Sequence, residues 1–381
     1  MRFSDTPGQE GLKDSLRRLA DNDTVPHAIL LSGAEGTGKM MLARAFAQYL
    51  HCRRPVGGEP CRECPDCRMH AELSHPDLHF VYPIVKREKE KIATSADILP
   101  LWQQMLVEHP EMPSEQWLEI INAGNSQPSI YVNEADSIVQ ADSYPPFTSP
   151  RKIFIIWRPE RMQTAAANKL LKVIEEPMQG TVFILVSDNE LQLLPTIYSR
   201  TQRFHVGSIE NAELTEWLIH KRGLGEDEAR RIASIAGGNL INASRLASHS
   251  GETEEFRLQY MEIMRQAYKK GAAALKKIAD RLGDSKGGYG REKLRRFLLY
   301  MGRMARENYL YNLGVGSLVA MTREEEEFAS RFAPFIHSGN VEELVKETDR
   351  ARIDIERNAN AKLVLFDFFI LLIILIHKKR G

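Results

Sequence analysis

Up to about residue 207, short continuous apolar runs alternate with stretches of helical period, and beyond it almost every segment repeats with helical spacing. The runs Ala28 to Leu31, Leu78 to Tyr82, Lys152 to Arg158 and Thr181 to Ser187 read as strands. The longest are apolar without interruption, as strands covered on both faces are. Leu42 to Ala47 and Ala165 to Glu176 read as helices between them, the second stopped by Pro177, which lacks the N–H that a helix needs. From about Pro83 to Gln127 the pattern is charged and mixed, with a helical-looking Leu101 to Ile121, and this stretch is expected to leave the core as an excursion. Its run Lys86 to Lys91 alternates in sign like a solvated face. Further on, Ala212 to Lys221 and Glu226 to Ala236 predict a small helical lid. Glu254 to Lys270, Ala272 to Leu282, Arg291 to Leu313 and Val341 to Leu375 predict a helical remainder.

The first apolar run leads into Gly33-Ala34-Glu35-Gly36-Thr37-Gly38-Lys39, and a helix follows. That is the setting of a phosphate-binding loop: glycines let N–H groups close on phosphate oxygens, a lysine neutralises them and the helix N-terminus adds its dipole. Gly33, Gly36, Thr37, Gly38 and Lys39 are therefore the candidate nucleotide-binding residues. The next position should carry a hydroxyl for Mg²⁺, but Met40 stands there, and a thioether is a poor ligand for a hard cation. At the end of the third run, Trp157 and Arg158 stand where a nucleotide hydrolase keeps an Asp and a Glu. Neither binds a metal or polarises water, so Mg²⁺ is not expected. Whether ATP, ADP or nothing occupies the loop stays open. Ser187 is positioned either to reach a phosphate or to make a strand-end hydrogen bond.

Cys52, Cys61, Cys64 and Cys67 are all the cysteines of the chain. Four thiolates so close in sequence, two gaps of them two residues long, suit one tetrahedral Zn²⁺ with no position left for a catalytic water. Two disulfides or four unrelated thiols are the alternatives.

Composition narrows the picture. The 51 basic residues balance the 51 acidic ones, so any contact with nucleic acid must be local or shared. At 381 residues the chain has room for two or three domains. The segment Met1 to Asp5 lacks the apolar core of a signal peptide, which predicts a cytoplasmic protein. Leu363 to Ile376 is almost wholly apolar yet shorter than the roughly 20 residues of a spanning helix. It is expected to be a buried terminal helix, and no membrane partner is expected.

Phe3-Ser4-Asp5 through Gly8-Gln9-Glu10, Val25-Pro26-His27-Ala28, the phosphate loop, the four cysteines, the Ala-rich helix ending in Glu175-Glu176-Pro177, and Leu194 to Arg200 follow one another as in bacterial clamp loaders. The chain resembles the delta-prime subunits of the DNA polymerase III clamp loader, members of the AAA+ group, closely over residues 1 to 250. The resemblance implies an α/β AAA+ domain over 1–207 with a five-stranded parallel sheet, a zinc module at 52–67 and the excursion at 83–127. A helical lid at 208–248 and an all-α collar at 249–381 would complete it. In the family a Ser-Arg-Cys motif lends an arginine to a neighbour's ATP; here it reads Ser199-Arg200-Thr201, so Arg200, with Ser199, is implied to act in trans. Ile241 holds the place of a phosphate-sensing arginine. Implied partners are gamma/tau-type and delta-type subunits in a pentameric ring, and through that ring the sliding clamp and primer-template DNA.

Three other readings stay open at this level. Arg200 alone would read as the partner of a local carboxylate. A working gamma/tau-type ATPase would need its metal held by acids such as Glu134 or Asp136. A zinc-bearing DNA-binding module would use Arg53, Arg54, Arg62 and Arg68, which are interleaved with Glu59, Glu63 and Asp66.

Overall fold

The computed structural model describes residues 1–124, 126–247, 251–284, 287–315 and 318–378. Lys379 and Arg380, the end of the basic tail, lie outside them. The chain divides into two compact units, Met1–Gly223 with Ala236–Ser244, and Leu224–Ile235 with Arg245–Gly381.

The first unit is built on β1 (Ala28–Ser32), β2 (Leu78–Val81), β3 (Lys152–Trp157), β4 (Thr181–Ser187) and β5 (Gln202–His205). They form one parallel sheet in the order β2-β3-β4-β1-β5, the five-stranded parallel sheet expected. Its helices are α1 (Glu10–Asp21), α2 (Lys39–His51), α3 (Pro65–Ala71), α4 (Leu99–Glu108), α5 (Ser114–Ile120), α6 (Val132–Asp142), α7 (Thr164–Glu175), α8 (Pro195–Tyr198) and α9 (Asn211–Arg222).

Every residue of β1, β3 and β4 is buried, because helices cover both faces of the sheet. Alternate side chains serve opposite cores, as the two-residue repeat of a strand requires. Ile29, Leu31, Ile153, Ile155, Trp157, Ile184 and Val186 meet α2 on one face. Ala28, Leu30, Phe154, Ile156, Phe183 and Leu185 meet α6 and α7 on the other.

The segment 83–127, expected as an excursion from the core, belongs to it. Trp102 of α4 and Trp117 of α5 are fully buried with Tyr82, Tyr82 stacking on Trp102 at 4.0 Å and Trp117 meeting both edge-on at 5.2 Å. Each such pair adds about 0.5–1.5 kcal/mol beyond the area it buries. The expected single helix is two, divided before Ser114, and the charged run 86–91 is the solvated part.

α10 (Glu226–Ala236) lies almost wholly in the second unit and α11 (Leu240–Ala247) begins in the first; the second unit then continues as α12 (Gly251–Tyr268), α13 (Ala272–Leu282), α14 (Arg291–Asn312), α15 (Arg323–Phe332), α16 (Val341–Glu356) and α17 (Ala361–Ile376). The stretch expected from Val341 to Leu375 is broken between α16 and α17 at Asn358, whose φ is +68°. Asn360 then starts α17 by accepting from the N–H groups of Lys362 and Leu363, the favoured cap for orphan donors. Phe368, Phe369 and Leu372 of α17 enter the helical core. Leu363 and Ile374 are 68% and 59% exposed, so this helix is buried on one side rather than all round. Among the described residues no helix is long and apolar enough to cross a membrane.

Candidate functional site

The phosphate loop leaves the C-terminal end of β1 and turns into α2 at Gly38, whose φ of +81° is left-handed. Gly36 is likewise left-handed, and a Cβ there would lie 2.2 Å from the Asn239 side-chain oxygen. Only glycine fits. Asn239 itself donates to the Glu35 carbonyl at 2.9 Å, and the Leu240 N–H donates to the Gly36 carbonyl at 2.7 Å. From the other side the Ser114 N–H donates to the Glu35 carboxylate at 2.7 Å. The loop is thus clasped by α5 and by the chain entering α11.

Lys39 does not project from this loop. Its ammonium is buried, donates to the carbonyl of Ala34 at 2.5 Å and pairs with Asp188 at 3.0 Å. Thr37 closes the turn by donating to the same carbonyl at 3.0 Å. Asp188, just beyond β4, also faces the Arg158 guanidinium at 3.5 Å, which in turn faces Glu160 at 3.6 Å. Ser187 donates to Glu160 at 2.8 Å, so the strand-end hydrogen bond is the one it makes. Burial first, with the nearby Asp188 charge, raises the Glu160 carboxyl above its usual range. Lys39, Asp188, Arg158 and Glu160 alternate in sign, which lowers the cost of keeping charges out of water, although the buried Arg158 Nε faces both carboxylates without a hydrogen bond to either.

Met40 and Trp157 point into the apolar core, and Ile241 is buried. None of the three presents a group to a phosphate or metal. Glu134 accepts from the N–H and hydroxyl of Ser95, both at 2.6 Å, and Asp136 pairs with Lys169. Both acids have other work.

Arg200 follows α8 at the surface. Its Nε donates to Glu175 at 2.8 Å and its Nη1 to the Thr196 carbonyl at 3.0 Å, while Ser199 donates to that carbonyl at 3.3 Å. The local carboxylate partner therefore exists. With side chains 32% and 54% exposed, such a pair contributes at most about 1 kcal/mol.

The four cysteine sulfurs lie within 4.8 Å of one another, with Cys61 and Cys67 3.9 Å apart. Tetrahedral thiolates around one ion sit about 3.8 Å apart, so the set fits a single four-coordinate metal. N–H groups of Cys61, Cys64 and Glu63 point at sulfurs at 3.2, 3.3 and 3.5 Å. Against opposing burial, the donors from Cys64 and Glu63 bring the Cys61 thiol down to about 6. No cysteine is in a disulfide. Arg53 pairs with Asp66, Arg62 with Asp5, and Arg68 donates to the Glu63 carbonyl, so these arginines brace the loop.

Sequence reasoning missed a second cluster. His51, His70 and His75 are buried with ring nitrogens within 4.8 Å of one another. His51 meets the Arg151 carbonyl at 3.0 Å through Nε2, which assigns the proton there and leaves Nδ1 to accept from His70 at 2.9 Å. The Asp77 N–H donates to His75 Nδ1 at 3.1 Å, directing Nε2–H toward Asp66 at 3.3 Å. With its lone pair taken, His75 is a brace between α3 and β2 rather than a ligand. Asp188, Glu160, Asn239 and the loop's Glu35 likewise carry roles that no sequence pattern assigns; the one clue is that Asp188 follows Ser187 directly.

The family described as "DNA polymerase III, delta subunit" matches residues 8–210. DNA polymerase III subunit delta' of Pseudomonas aeruginosa is 29% identical over 271 residues, covering 70% of this chain and 68% of its own. Subunit delta' of Haemophilus influenzae is 30% identical over 53% of this chain and 49% of its own. DNA polymerase III subunit tau of Bacillus subtilis is 28% identical over 64% of this chain and 37% of its own. The matched region thus spans half or less of two of these relatives.

Proposed function

Since the chain belongs to the DNA polymerase III delta subunit family, we propose that it is a delta-prime-type, non-hydrolysing subunit of the clamp loader acting in DNA replication. The observation that carries this reading is the Lys39–Asp188–Arg158 network: the loop lysine is spent on a carboxylate, and a guanidinium stands beside the place where magnesium charge is needed. Met40 and Trp157, turned into the core, support it independently.

In this reading Arg200 works in trans. It is exposed enough to reach a neighbour, and a guanidinium delivered across an interface offsets charge developing on a transferring phosphoryl group. The partners are gamma/tau-type and delta-type subunits in a pentameric ring; the sliding clamp and primer-template DNA are engaged through the assembled ring. Residues 1–207 would form the AAA+ domain, 208–248 the lid and 249–381 the collar through which the ring is held. Cys52, Cys61, Cys64 and Cys67 would hold a structural Zn²⁺, which supplies cross-linking and no chemistry of its own. A cytoplasmic location accords with the absence, among the described residues, of a spanning helix.

The test is Arg200→Ala in the reconstituted complex. Clamp-dependent ATP turnover should fall about a hundredfold or more with assembly unchanged, and full turnover would remove the trans-acting role. The similarity to tau supports an ATP-hydrolysing subunit as second reading. Steady hydrolysis by the purified chain, abolished by Lys39→Ala, is what that reading requires.

A further inference from the structure

Glu175 is the last residue of α7, and a carboxylate there faces the negative end of the helix dipole. The charge is unfavourable unless a cation answers it. The Arg200 guanidinium does, through Nε at 2.8 Å, while Nη1 is held by the Thr196 carbonyl at 3.0 Å. Both anchors are fixed from below: Ile174, beside Glu175, is wholly buried, and so is Ile197, beside Thr196. Among the described residues Nη2 makes no hydrogen bond. The guanidinium is therefore gripped at two nitrogens, with the third left to donate outward.

We propose that Glu175 is a positioning residue for Arg200, gripping its Nε so that the remaining donors are aimed at the triphosphate held by the adjacent subunit. The proposal rests on the trans-acting reading of Arg200 and adds to it the residue that sets the arginine's direction. Glu175 touches no nucleotide. A free arginine side chain must give up its rotamers each time it reaches a phosphate, and a grip formed beforehand removes most of that cost. The grip also has an opposing effect, because a nearby carboxylate offsets part of the guanidinium charge. Which effect prevails is measurable, and the two predict opposite signs.

The experiment uses the full chain in the reconstituted loader, with clamp and primed DNA, and reads kcat and KM for ATP. Glu175→Ala should lower kcat about tenfold and leave KM within about twofold, because nucleotide is bound by the neighbour. Glu175→Gln keeps an acceptor for Nε and should recover at least half of the wild-type kcat. Glu175→Ala with Arg200→Ala should be no slower than Arg200→Ala alone, as expected of residues acting as one unit. Equal turnover by Glu175→Ala, a rise in turnover, or a further loss in the double variant would each overturn the proposal while leaving Arg200 in its role. Unchanged turnover by Arg200→Ala itself would remove both. Complex mass measured on each variant keeps loss of assembly apart from loss of rate.

Discussion

The indole of Trp157 rests against that of Trp102, ring centroids 5.3 Å apart and planes at 46°. On the proposed function one residue stands where a magnesium carboxylate would be and the other belongs to the segment covering the sheet, so packing fills that place. Trp157→Asp should therefore not restore a metal site. It places an unpaired carboxylate in the core and removes an aromatic contact, lowering unfolding free energy by roughly 4 kcal/mol or more. Urea denaturation monitored by fluorescence measures this; a variant of wild-type stability that hydrolyses ATP would contradict it.

Releasing Lys39 should be easier. Asp188→Ala frees both Lys39 and Arg158 from their shared carboxylate, and affinity for ATP or inorganic phosphate should rise by about tenfold. Adding Mg²⁺ should not tighten binding to either protein. Titration of the two chains with labelled nucleotide, with and without the metal, reads both points, and magnesium-tightened binding by the wild type would count against the account given.

The purified chain should contain one zinc per molecule, and Cys64→Ser should abolish it. A structural zinc contributes several kcal/mol, and a unit of the size of the first, which carries the cysteines, loses about 2–4 °C per kcal/mol, so its melting midpoint should fall by more than about 5 °C. Elemental analysis and calorimetry on the same samples decide; a metal-free wild type with the same midpoint ends the idea.

Asp77 accepts N–H bonds from Phe147, Thr148 and Ser149 at 2.5, 2.7 and 3.0 Å. Burial opposes ionisation there, yet these three donors hold the carboxyl below its ordinary value. A depressed folded-state pKa stabilises fully above the unfolded value of about 3.9 and loses that contribution as pH falls through the folded value. The stability advantage of wild type over Asp77→Asn should therefore be constant from pH 5 to 7, about 1–2 kcal/mol, and shrink below pH 4. An advantage that grows on acidification would refute the assignment.

Much of this molecule was legible beforehand because its strongest signals are local. Glycines at 33, 36 and 38 announce a loop whatever surrounds it, and four cysteines at short spacing announce a tetrahedral donor set. The continuous apolar runs announced the sheet because strands covered on both faces leave no polar period to misread. The core role of 83–127 is hidden because its charge run is conspicuous and its buried residues, such as Ile84, Trp102, Met112, Trp117 and Ile121, are widely and unevenly spaced. α15 went unseen since four successive glutamates mask its period; Glu325 is nevertheless buried against Tyr300 and Arg303. Partners of Lys39 and Gly36 lie about 150 and 200 residues away in sequence, and no periodicity reports such pairings.

The clasp on Gly36 has an implication for motion. A loop whose carbonyls already answer to Asn239 and Leu240 has no slack with which to register the arrival or departure of a ligand. On the proposed function this loop should keep one shape while neighbouring subunits cycle, so that what it would bring to an assembly is constancy: a stationary reference against which moving parts can be timed.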